Sequence, residues 1–211
     1  MIRTRSAARR TAQAVAGLSL AVLLAACANT PAHQGAAAVV GDERISVATV
    51  EAKVAAVRDA SAARPGAARA EQAGLARRTV AELVLDRVLA KALTDRGLTV
   101  SATEVAQARE ADAKLLGGPD QLAAELLGKQ GVPAVGIDDF YRQQLGLQKL
   151  ATADGQDARS AGGDEAIRKA LVTAGTALRI EVNPRYGHWD PAQIGLTDTA
   201  DDWLPTNSTL Y

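Results

Sequence analysis

One stretch does most to limit what this chain can become. From Thr79 to Arg96 it runs Thr-Val-Ala-Glu-Leu-Val-Leu-Asp-Arg-Val-Leu-Ala-Lys-Ala-Leu-Thr-Asp-Arg, with no glycine or proline to break a helix. Val80, Leu83, Val84, Leu85, Val88, Leu89, Ala92 and Leu93 fall around most of the helical circumference and leave a polar strip at Arg78, Glu82, Asp86 and Asp95. A helix apolar on so many sides must be covered by several neighbours, so this one is predicted to span about Glu71 to Arg96 at the centre of a helical domain.

The neighbours are also legible. Ser46 stands where an N-cap belongs, and Val47, Val50, Val54 and Val57 follow on one helical face until Arg64-Pro65-Gly66 interrupts it. Gly97 stops the central helix. Ser101-Ala102-Thr103-Glu104 has the form of a capping box, with Val100 and Val105 placed as its hydrophobic staple, and opens a helix to about Leu116. Gly117-Gly118 ends that helix, and Pro119 begins a short one to about Lys129, closed by Gly131-Val132-Pro133. A helix over Asp138 to Thr152 carries Phe140, Tyr141 and Leu145 on one side. Ala153 to Gly163 is polar and Gly-rich and is expected to be a mobile loop, before a helix near Asp164 to Ala174. Ala37 to Val40 and Ala177 to Val182 have strand patterns, the second alternating apolar and polar. Two isolated strands need each other, so the expected fold is mainly α, a helical domain closed by a small two-stranded sheet that pairs the N- and C-terminal strands.

The start of the chain points to export. Arg3, Arg5, Arg9 and Arg10 are the only charges before Cys27, and they precede the apolar run from Ala14 to Ala26. A basic start, an apolar stretch and small residues before a cut make a secretory signal, and thirteen residues fall well short of the roughly 20 that cross a bilayer. Leu24-Ala25-Ala26-Cys27 resembles the bacterial lipobox, in which the cysteine is lipidated and becomes the first mature residue. The sequence thus predicts residues 1–26 as signal peptide, Cys27 as a lipidation site, and 27–36 as a flexible tether carrying a solvated His33. It then predicts a domain over 37–182 and a C-terminal arm over 183–211, anchored by Tyr186, Trp189 and Trp203 with Arg185 available to pair or stack.

From Cys27 onward 20 basic residues face 24 acidic ones, with no basic cluster, which argues against a nucleic-acid partner. One cysteine cannot build a disulfide scaffold or a thiolate metal site. His188 and Asp190 lie two apart, but two ligands do not make a metal site, and no Gly-rich phosphate loop or nucleophile elbow occurs. No cofactor, metal or catalytic residue is expected.

Ala37-Ala38-Val39-Val40-Gly41-Asp42-Glu43-Arg44-Ile45-Ser46, with its valine pair, short turn and helix cap, resembles the opening of the SurA-like N-terminal domain. The run from Thr79 to Val105, a long helix with paired Leu and Val followed by a break and a new cap, resembles the same family, as does the helix from Asp138 to Leu150. Members of that family, including SurA and the trigger-factor-like and PrsA-like foldases, use this helical domain to hold unfolded exported polypeptides. Many also carry a parvulin prolyl isomerase domain, but the 26 residues between Leu150 and Ala177 are too few for one, since compact domains need roughly 50 or more. Val182 to Asp190 resembles the tail of parvulin-less SurA-like lipoproteins.

The resemblance and the export signal together imply a non-catalytic, chaperone-like lipoprotein on the extracytoplasmic face of the bacterial membrane. It would bind unfolded or extended exported polypeptides and reach the membrane through its lipid. The alternative is an envelope interaction module that recognises one folded partner. Phe140, Tyr141 and Leu145 are the candidate client-binding residues, on a face that is either core or groove.

Overall fold

The structure, a computed structural model, describes residues 35–63 and 74–198. The signal segment, Cys27, His33, Pro65, Gly66 and Trp203 lie outside those residues. Among the described residues the order is β1 (Ala36–Val40), β2 (Glu43–Ser46), α1 (Val47–Ala62), α2 (Leu75–Asp95), α3 (Ala102–Leu116), α4 (Pro119–Gln130), α5 (Ile137–Ala153), α6 (Ala161–Ala177), β3 (Ile180–Val182), β4 (His188–Asp190) and β5 (Gly195–Thr197).

Helix α2 is central, as its sequence requires. Val80, Val84 and Val88 are fully buried, and the helix is covered by α1, α5, α6, β1 and β5. Each such aliphatic side chain contributes about 1.5–3 kcal/mol by leaving water, so this one helix organises the domain. Helix α5 passes close to it at Gly146, where a Cβ would stand 3.1 Å from Leu89 Cδ2 and 3.2 Å from Leu93 Cδ1. The missing side chain sets that approach.

Local signals behave as the sequence leads one to expect. Ser46 Oγ accepts from Thr49 N at 3.0 Å to cap α1. At α3, Glu104 N donates to Ser101 Oγ at 3.2 Å while Ser101 N donates to Glu104 Oε2 at 2.8 Å, completing the capping box. Lys149 of α5 donates to Glu104 Oε1 at 2.6 Å, and these bonds to Lys149 and Ser101 hold the Glu104 carboxyl down at about 2.

The N- and C-terminal strands pair antiparallel, with Ala38 opposite Val182, Val39 opposite Glu181 and Val40 opposite Ile180. The sheet has three strands, however, in the order β2-β1-β3. Glu43 to Ser46 folds back on β1 through Gly41-Asp42, with Gly41 in the left-handed region at φ 58°, and Glu43 pairs with Arg87 of α2. A four-residue strand that runs directly into a helix cap has too little pattern to be seen beforehand. The central position of β1 also explains why it is apolar at successive residues rather than alternating. Ala36 is part of this buried strand, so the expected tether over 27–36 does not include it.

Two further boundaries differ from expectation. Helix α6 starts at Ala161, capped by Ser160 Oγ on Gly163 N at 3.0 Å, so the expected loop from 153 to 163 is shortened at both ends. Gly162 and Gly163 sit inside the helix because Gly163 is pressed against the preceding loop, where a Cβ would stand 1.9 Å from the Asp157 carbonyl oxygen. At its other end α6 runs through Thr176 and Ala177, leaving β3 three residues long. Beyond β3, Tyr186 is buried in the main core with Arg185 stacked 4.5 Å from its ring centroid, and β4 pairs with β5. Arg77 of α2 secures that hairpin, donating to the Leu196 carbonyl at 2.9 Å and to Asp198.

The apolar side chains form two clusters. The larger is built on α2 with the sheet, α1, α6, Leu150 and Tyr186. The smaller joins α3, α4 and the first turns of α5 through Val105, Ala113, Leu122, Leu126, Ile137 and Tyr141.

A groove between α1, α2 and α5 as the candidate functional site

The strip of α2 that its neighbours leave uncovered opens into a groove of about 290 Å³. One wall is α1, with Lys53, Ala56 and Val57; the other is α5, with Asp139, Phe140, Gln143 and Gln144. Helix α2 lies between them with Thr79, Glu82, Leu83 and Asp86, and the segment from Gln130 to Gly136 crosses one end. That segment cannot continue α4, because Gly131 is left-handed at φ 69° and Pro133 follows. It turns through a short 3-10 element over Ala134–Gly136 and puts Val135 on the rim, 81% exposed.

The groove is apolar at Val57, Leu83, Val132, Val135 and Phe140, and polar along its α2 edge. Buried Thr79 satisfies its hydroxyl internally, donating to the Leu75 carbonyl at 3.0 Å. Asp86 is half-buried and accepts from Gln143 Nε2 at 3.3 Å. Burial pushes its carboxyl up to about 6, against the opposing pull of Lys53. Glu82, one turn earlier and more exposed, is shifted in the same direction by the same cause. Lys53 reaches across from α1 to Asp139 at 3.3 Å, and Arg142 pairs with the other oxygen of that carboxylate at 2.7 Å.

Phe140 is the divider. On its other side lies a more open cavity of about 680 Å³, lined by Asp112 and Ala108 of α3, by Leu145 and Gln148 of α5, and by Arg159. The SurA-like N-terminal domain family matches residues 2–151, well over half of the chain. The chain belongs to that family. No curated protein and no solved structure matches it. Membership suggests a chaperone-like role.

The match ends inside α5, yet the SurA-like domain is physically completed by α6 and the C-terminal residues, since Leu171, Ala174 and Tyr186 belong to the same core as α2. Of the three residues singled out on α5, the structure separates one from the others. Tyr141 is 5% exposed, packs in the smaller cluster, and donates from its hydroxyl to Asp112 Oδ2 at 2.7 Å. Burial first, and then the neighbouring Asp112 carboxylate, push its phenol well above the usual range. Tyr141 is therefore a core residue that ties α5 to α3, with one edge on the larger cavity. Phe140 meets it edge-on at 5.5 Å and 81°, half-buried between the two cavities, and Leu145 is half-buried against the same cluster. His188 and Asp190 are hairpin residues; Asp190 Oδ1 is occupied by the Ala192 amide at 2.8 Å and the Gln193 amide at 3.4 Å.

Sequence reasoning missed Val135, Glu82 and Asp86 as groove residues. The two acids belong to the polar strip of α2, whose ordinary reading is a solvated face. The signal that distinguished them was the helix around them: a strip on a helix covered by so many neighbours borders a cleft instead of open water.

Proposed function

We propose that the SurA-like domain binds extended segments of unfolded exported polypeptides without catalysis, seating an apolar side chain between Phe140 and Val135. The observation that carries this reading is the groove with an aliphatic rim, held open by three packed helices and bordered by amide side chains that can meet a peptide backbone. Val135→Asp should reduce suppression of aggregation of an unfolded client several-fold, with the melting temperature within about 2 °C of the parent, because an exposed side chain contributes little to folding. Unchanged suppression by this variant and by Phe140→Ala would remove the groove from the function.

We further propose that the domain is held on the outer face of the membrane by a lipid on Cys27. The sequence Leu24-Ala25-Ala26-Cys27 after an apolar run supports it, and a diacylglyceryl group is a sufficient anchor where a lone acyl chain is marginal. Cys27→Ser should abolish acyl labelling and release the protein from the membrane fraction.

A further inference from the structure

The groove is chemically lopsided. Glu82 and Asp86 on α2 and Asp139 on α5 face one lining cation, Lys53. Lys53 and Asp139 already satisfy each other, and Asp139 is paired again by Arg142. Among the described residues Asp86 makes no ion pair, and its hydrogen bond from Gln143 is a long one. The segment Gly131 to Gly136 brings no charge to the site. A partly dehydrated carboxylate that forms no ion pair, though Lys53 and Arg87 stand near it, has already lost water, so an arriving cation meets it with much of the desolvation done. Lysine and arginine are suited to this entrance because their aliphatic stems lie along apolar walls while the charged head stays at the polar edge.

We propose that the groove selects segments in which a lysine or arginine adjoins an apolar residue, the apolar side chain resting on Phe140 and Val135 and the cation meeting Asp86 and Glu82. This rests on the chaperone-like reading above and adds to it a chemical rule for the bound segment. Exported chains that are strongly acidic or uniformly apolar would then be held less well than those with basic residues beside their hydrophobic stretches.

The test uses the purified full chain and three fluorescent peptides that share one apolar core and differ in a single flanking residue, Arg, Gln or Glu. At pH 7.5 and low salt, anisotropy should show the Arg peptide binding at least about 5-fold more tightly than the Glu peptide, with the Gln peptide between them. Asp86→Asn combined with Glu82→Gln should bring the Arg-to-Glu ratio close to 1. In the parent protein the ratio should also fall as pH is lowered through about 6, where Asp86 takes up a proton among Lys53 of α1, Glu82 and Arg87 of α2, and Asp139 of α5. Equal binding of all three peptides, or a preference that survives in the double variant, overturns the selection rule and leaves the chaperone-like reading standing. Binding of none of them removes both. Self-association that Val135→Asp abolishes would assign the groove to a second copy of the chain, which also overturns the rule.

Discussion

The two apolar clusters of the SurA-like domain are built on different terms. The larger one wraps α2 on nearly every side, with elements from residue 37 to residue 186 meeting in it. The smaller one is a helical hairpin, α3 and α4, laid on the first half of α5. Polar contacts join its hairpin to α5: Tyr141 to Asp112, Arg109 to Asp138 at 2.6 Å, and Lys149 to Glu104. Pairs of that kind, where exposed, contribute about 0.2–1 kcal/mol each, against 1.5–3 kcal/mol for a buried aliphatic side chain. Helix α5 belongs to both regions, with Tyr141 in the smaller cluster and Leu150 in the larger. One region holds most of the buried apolar side chains, and the other sets the position of Phe140 and of the rim that carries Val135.

The contrast can be broken most severely at the C-terminal end. Truncation after Gly175 removes β3, Tyr186 and the hairpin that Arg77 secures, and should abolish cooperative thermal unfolding, read by circular dichroism. A sharp transition surviving at the original temperature would mean that the strands do not close the domain.

A matched pair of core truncations comes next. Leu150→Ala should lower global stability by about 2–5 kcal/mol, because the side chain is wholly enclosed in the larger cluster. Leu126→Ala removes the same atoms from the smaller cluster, and its effect should be local. Amide exchange should rise in α3 and α4 while α2 keeps its protection. Exchange that rises equally in α2 would show the two clusters to be one cooperative unit.

The smallest effect has the opposite sign. Asp86 has a raised pKa in the folded state, about 6 against 3.8, so the folded protein binds more protons there and is progressively penalised as pH rises between those values. Asp86→Asn should therefore stabilise the domain at pH 7.5 by about 1–2 kcal/mol, the two-unit shift having been discounted for partial exposure. The gain should be full above about pH 6 and vanish below about pH 4. A neutral or destabilising effect at pH 7.5 would show the carboxylate to be structural.

Legibility in the sequence tracks the strength of local signals. The enclosed helix and the capping box at Ser101 rest on periodicity and cap chemistry, which act over a few residues and survive in any packing, while the pairing of the two end strands followed from each being otherwise alone. Strand β2, the start of α6 and the β4–β5 hairpin were less visible. Each depends on a tertiary contact that no local pattern announces: the β1 edge for Glu43 to Ser46, the close approach of the Asp157 backbone for Gly163, and α2 for the hairpin that Arg77 fastens. The role of Tyr141 was undecidable for the same reason, since an aromatic pair on one helix points both inward and outward until Asp112 fixes which ring is enclosed.

The closure of the sheet has a consequence for the making of the protein. Strand β1 obtains its second neighbour very late, and Asn183 bonds to the Ala36 carbonyl across 147 positions of chain. During synthesis the β1–β2 hairpin and the helix pairs find their partners close at hand, but the outer edge of β1 stays unpaired until Ile180 to Val182 have emerged. An unpaired apolar strand edge is a template for any passing chain. A chain in which β3 has yet to arrive therefore exposes the kind of open segment that the finished groove is proposed to hold.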